Sequence, residues 1–162
     1  MKYLLLFIVI TVVGCYERKP EITGLEGKPI PSFKLLLSDS STYFDTKTIP
    51  AGKPTVLFYI SPQCPYCRAQ MNEIIEDMDR LKNIHFYVFT AWPFTAMKQF
   101  YSNYQLNKYP NITAGIDYTN FFGKYFKASG VPYTAIYNKD KKLNAVFVGS
   151  IGVKEIKKSA RL

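Results

Sequence analysis

Apolar positions along the chain follow two rhythms. Residues 55–60 and 84–90 are nearly unbroken apolar and aromatic runs of strand length, which read as strands buried on both faces. Between them, Met71, Ile74, Ile75, Met78 and Leu81 recur at a 3.6-residue spacing, the mark of a helix with one buried stripe. Pro65 suits the first position of that helix, where a missing N–H costs nothing, so the spacing predicts one helix from Pro65 to Leu81.

Shorter signals flank this centre. Strands are predicted at 33–37, 43–44, 111–116, 133–137 and 145–148, the last two joined by a polar turn at 138–142. Helices are predicted at 94–106, where Met97, Phe100, Tyr101 and Tyr104 lie on adjoining turns, and at 120–128, with Phe121, Phe122, Tyr125 and Phe126. A short basic helix closes the chain at 153–160. Strands alternating with helices, then a terminal hairpin and helix, indicate an α/β fold: a central mixed sheet flanked by helices, with extra N-terminal strands. The chain of 162 residues is long enough for one sizeable core, expected over residues 29–162.

The first residues have a different pattern. Met1 and Lys2 precede an almost wholly apolar stretch at 3–13, too short for the roughly 20 residues of a membrane span but right for a signal-peptide core. It ends at Val12-Val13-Gly14-Cys15, which resembles the bacterial lipoprotein box. That resemblance implies a signal peptide at 1–14, cleavage after Gly14 and a lipid on Cys15. The protein is then expected outside the cytoplasm, facing the periplasm or cell exterior and held to a membrane. Residues 16–28 are polar and punctuated by Pro20, Gly24 and Gly27, so 15–28 reads as a lipidated, flexible tether reaching up to ~40 Å.

Composition narrows the class. With 48% hydrophobic and 20% charged residues, the chain is globular and not disordered. The 13 Tyr and 12 Phe are expected in core layers and edges. Net charge is +9, with much of the excess after residue 124. No nucleic-acid motif accompanies it and the lysines are dispersed, so the excess reads as a solvated face, with no nucleic-acid partner.

Candidate chemistry centres on Cys64-Pro65-Tyr66-Cys67, which follows the central strand and opens the helix. Of 3 cysteines, Cys15 is assigned to lipid, so both others lie in this motif and no structural disulfide is available. A zinc site as a rule needs four ligands, and the chain has only one other Cys and one His, so no metal or other cofactor is expected. The dithiol/disulfide pair Cys64–Cys67 is itself the redox group. Helical spacing places Cys67 on the buried stripe and Cys64 ahead of the first turn. Thiolates are stabilised at helix starts, and Pro65, Tyr66 and Arg68 are the residues placed to tune that start. His85 opens a strand and reads as structural.

Four separated features together resemble the thioredoxin fold: the strand at 56–60, the Cys64–Cys67 helix start, Val131-Pro132 before a strand, and Phe147-Val148-Gly149. With the lipoprotein signal and the extra N-terminal strands, the chain is similar to the membrane-anchored TlpA/ResA-type redoxins. The resemblance implies a cis Pro132 facing the two sulfurs, and a Val131 backbone able to pair with a substrate segment. It also implies thiol–disulfide exchange with exported proteins, in the reductase direction, because membrane-tethered relatives usually act so. Protein thiols or disulfides and a membrane or periplasmic redox partner are the implied partners. Three positions depart from the pattern: Gln63 replaces a common Trp, Phe58 stands where thioredoxins have a buried acid, and Gln70 stands where TlpA-like proteins often have Glu. Two alternatives remain at this stage. Ser61, three residues before Cys64, matches a redoxin-type thiol peroxidase, although none of the four arginines lies in the middle strands. A non-catalytic, partner-binding lipoprotein is the other.

Overall fold

The structure is a computed structural model that describes residues 18–161. The signal stretch and Cys15 lie outside the described residues. Seven strands form one sheet: β1 (Lys34–Leu37), β2 (Tyr43–Asp45), β3 (Thr55–Tyr59), β4 (His85–Thr90), β5 (Ile112–Ile116), β6 (Tyr133–Tyr137) and β7 (Leu143–Val148). Their order is β2-β1-β5-β4-β3-β6-β7. β3 pairs in parallel with β4, and β4 with β5, while β6 and β7 run antiparallel on the other side of β3. The helices are α1 (Pro65–Glu76), α2 (Met78–Leu81), α3 (Phe94–Asn103), α4 (Phe121–Tyr125) and α5 (Val153–Ala160).

The unbroken apolar runs are central strands because the sheet is covered on both faces. Side chains alternate across a strand, so Val56 and Phe58 join Phe86 and Val88 in a core shared with α1, α3 and α5. Leu57, Tyr59, Tyr87 and Phe89 point to the other face, into a core with Phe33, Phe122 and Phe126. This second core is largely aromatic. The Phe122 ring sits 4.5 Å from Phe126, 5.0 Å from Phe89 and 5.3 Å from Tyr59, centroid to centroid.

Several boundaries differ from the expected ones. The single helix predicted over 65–81 is two, because Asp77 leaves helical geometry (φ −100°, ψ 18°) and both ends α1 and starts α2. Its carboxylate instead accepts from the Arg80 guanidinium at 3.0 Å, a local alternative to helix continuation that short acids favour. α3 stops before 106 because Gln105 is left-handed (φ 49°), and residues 106–108 form a 3-10 turn. α4 is confined to five residues between left-handed Asn120 and Lys127.

The largest correction concerns the tether. Residues 18–28 do not hang free; they lie along the outer edge of β7. The Glu21 N–H donates to the Val146 carbonyl at 2.8 Å, Gly27 to Leu143 at 2.8 Å, and Leu143 in return to Lys28 at 2.9 Å. Pro29 then bridges Lys142. A mostly polar composition hides this docking because many of the contacts are backbone ones, closing an edge that would otherwise leave its N–H and C=O groups unpaired, with Leu25 packed against the second core.

Candidate active site

The C-terminal ends of parallel β3, β4 and β5 share one end of the sheet with the start of β6 and the end of β7. Cys64 stands at this end as the cap residue of α1, in extended geometry (φ −69°, ψ 122°), with Pro65 next. Its N–H donates to the Ser61 carbonyl at 3.0 Å, and its carbonyl accepts from Arg68 N–H at 3.1 Å. The loop from β3 is therefore pinned on both sides of the cysteine. Arg68 adds a second hold, its Nε donating to the Pro62 carbonyl at 2.9 Å.

Both cysteines are free thiols, Cys64 half-buried and Cys67 buried. This is the asymmetry that helical spacing predicts. Cys67 joins Met71 and Ile74 on the buried stripe of α1. Burial pushes the Cys67 thiol up to about 12; a backbone hydrogen bond at Ser61 opposes the rise, and the Cys64 sulfur beside it adds to it.

The Val131–Pro132 bond is cis, and the Cys64 S–H donates to the Val131 carbonyl at 3.7 Å. Residues 67 apart in sequence thus meet across the mouth of the site. Pro132 is buried and Val131 half-buried. The loop is held from behind by Gly149, whose N–H donates to the Pro132 carbonyl at 2.7 Å. Gly149 has φ +85°, a left-handed backbone that side chains rarely adopt, so the position favours glycine.

Cys64, Cys67, Val131 and Pro132 are brought together, while Tyr66 points outward and is 67% exposed. Arg68 borders a polar hollow of about 470 Å³ shared with Pro62, Gln63, the α3 residues Gln99 and Asn103, and Tyr104 just after α3. Phe58 is buried beneath the site in the apolar core. Among the described residues, no group of three or more His, Cys, Asp or Glu is arranged to hold a metal ion.

Sequence reasoning missed the role of Gln70. Its side chain is buried, donating from Nε2 to the Thr134 hydroxyl at 3.3 Å and accepting from the Ile151 N–H at 3.2 Å. It therefore ties α1, one turn beyond Cys67, to β6 just past Pro132 and to the loop before α5. Ser150 adds a parallel tie, its hydroxyl donating to the Tyr66 carbonyl at 3.1 Å. A polar residue in an apolar helical stripe was the available signal, since a buried amide needs partners. A buried Asp117 was also missed; it accepts from the Phe122 N–H at 2.8 Å and the Thr119 hydroxyl at 2.9 Å, fixing the start of α4.

Comparison with solved structures agrees with this architecture. A secreted disulfide oxidoreductase of Mycobacterium tuberculosis, described as homologous to E. coli DsbE, is 23% identical with a TM-score of 0.62, covering 78% of this chain and 91% of that one. A putative thioredoxin from Neisseria meningitidis is 20% identical with a TM-score of 0.64, covering 79% and 84%. A putative thiol:disulfide interchange protein DsbE from Chlorobium tepidum is 16% identical with a TM-score of 0.64, covering 83% and 94%. At these identities the likeness shows the fold. No curated protein matches the chain. The thioredoxin-like domain model, however, matches residues 46–161, from before β3 through α5. The chain belongs to the thioredoxin-like family.

Proposed function

We propose that the chain is a thiol–disulfide oxidoreductase working as a reductase of exported proteins, tethered to a membrane by lipid on Cys15. The observation that carries the reading is the pairing of a half-buried Cys64 against the Val131 carbonyl with a buried Cys67 one turn behind. An accessible thiol can meet a large substrate, and a sheltered one can act only within the protein.

In this mechanism the Cys64 thiolate attacks one sulfur of a substrate disulfide. A mixed disulfide forms, and the substrate's other sulfur leaves as a thiolate that takes a proton from solvent. Cys67 then loses its proton and attacks Cys64. The Cys64–Cys67 disulfide closes, and the substrate departs as a dithiol carrying two electrons. A dithiol redox partner, in the membrane or beside it, must return two electrons to the pair. Val131 offers its backbone to an extended substrate segment at the mouth. Pro65 and Tyr66 shape the helix start, and Arg68 holds the Pro62 loop.

The test uses Cys64→Ser and Cys67→Ser variants in insulin reduction. Cys64→Ser is expected to abolish turnover, and Cys67→Ser to accumulate mixed disulfides visible on a non-reducing gel. Normal turnover by the double variant sinks the mechanism. A measured potential near about −120 mV, the oxidising end of the range, reverses the direction.

A further inference from the structure

Some of the basic residues that look dispersed in the sequence meet on the fold: those of the last helix and those at the beginning of the described chain. α5 buries Val153, Ile156 and Ala160, which leaves Lys154, Lys158 and Arg161 exposed and Lys157 half-buried. Lys157 and Arg161 border a hollow with Pro54 and Ile84 at the end of the sheet away from Cys64, and Lys154 lies at the helix start. Four residues apart, Lys154 and Lys158 form one stripe, and Glu155 is the only acid in the helix. The beginning of the described chain reaches the same place. Arg18 and Lys19 share a hollow of about 280 Å³ with Phe147 of β7 and with Glu155, Lys158 and Ser159 of α5. The Arg18 guanidinium donates to the Val148 carbonyl. From there residues 21–27 run down β7, so the chain joins the domain at the same end as Pro132 and Cys64.

We propose that this α5–β7 corner docks on an anionic phospholipid bilayer, bringing the mouth of the Cys64 site close to the membrane surface. The proposal rests on the lipoprotein reading of Cys15. Arg18 is three positions after Cys15, at most about 10 Å of chain, because the remainder of the expected tether is already docked on β7. Attraction to an anionic leaflet acts within a Debye length, about 8 Å at physiological salt. A lipid on Cys15 therefore brings Arg18, Lys19 and the α5 stripe into that field. Cys64 follows β3, two strands in from β7, or about 10 Å across the sheet. The pair then serves cysteines presented near the bilayer in preference to those free in solution.

Trp92, the chain's single tryptophan, is exposed just past β4 at the same end of the sheet. Energy transfer from Trp92 to a dansyl group on lipid headgroups reads the height of that end above the bilayer. Lipidated protein is expected to give more transfer in phosphatidylcholine vesicles containing phosphatidylglycerol than in phosphatidylcholine alone. The double variant Lys154→Glu, Lys158→Glu is expected to lower the ratio of docked to undocked domains at least about 25-fold, about fivefold for each cation removed. Its reduction of a small soluble disulfide stays unchanged, which verifies folding. Equal transfer in both lipids, or no response to the double variant, overturns the docking while leaving a lipidated Cys15 standing. A mature N-terminus whose mass shows no lipid on Cys15 overturns the lipoprotein reading and the docking with it.

Discussion

Resolution of a mixed disulfide on Cys64 requires Cys67 as thiolate, since the thiolate is the nucleophile. Cys67 is fully buried, and its thiol is pushed from 9.0 up to about 12, chiefly by that burial. At about pH 7 only about one Cys67 in 100,000 is then ionised, against about one in 100 for a thiol at the ordinary value. The Cys64 sulfur contributes part of the rise, and its capture in a mixed disulfide changes that part; burial remains. A mixed disulfide between Cys64 and a fluorescent peptide, formed at acid pH and then jumped to higher pH, isolates the step. The rate of peptide release is expected to rise about tenfold per pH unit and to keep rising beyond about pH 10. A plateau near about pH 9 refutes the argument, because it means that Cys67 titrates as an ordinary thiol. The same burial has a sign in stability. The folded value lies above the unfolded one, so stability from the neutral buried thiol is complete below about 9 and is lost as pH rises towards about 12. The thousandfold difference in proton affinity is worth about 4 kcal/mol. The reduced protein therefore loses this contribution at alkaline pH, and the Cys67→Ser variant does not.

Two further outcomes are expected from packing. Gln70→Leu leaves the Thr134 hydroxyl and the buried Ile151 N–H without the partners they have now, and is expected to cost about 2–4 kcal/mol in urea unfolding. Phe122→Ala removes the ring at the centre of the aromatic core and is expected to cost about 3–5 kcal/mol, read as a lowered urea midpoint with an unchanged slope.

The central strands, the helix beginning at Pro65 and the unequal burial of the two cysteines were legible because each is local. A run of apolar residues or a 3.6-residue period states which faces must be covered, and Cys67 falls on the covered face of its own helix. Helix ends were less legible. The break at Asp77 and the left-handed Gln105 and Asn120 depend on hydrogen bonds and backbone geometry that apolar spacing does not encode.

The segment 18–28 illustrates the limit of composition. Its residues are mostly polar, yet its backbone completes the edge of β7 and Leu25 packs against the second core; edge pairing itself leaves no apolar signature. The lysines of α5 and those near the N-terminus are likewise far apart in sequence and adjacent only once β7 and α5 are in place.

The Phe58–Cys67 stretch by itself determined where the thiols sit and which one is sheltered, through strand length, a helix-opening proline and helical period. Tertiary structure alone decided what surrounds them: the Val131 carbonyl against Cys64, Gly149 behind Pro132, and Gln70 joining α1 to β6 and the α5 loop. The physical reason is that periodicity specifies a face to be buried, whereas hydrogen bonds between residues 17 to 81 positions apart exist only after the sheet has assembled.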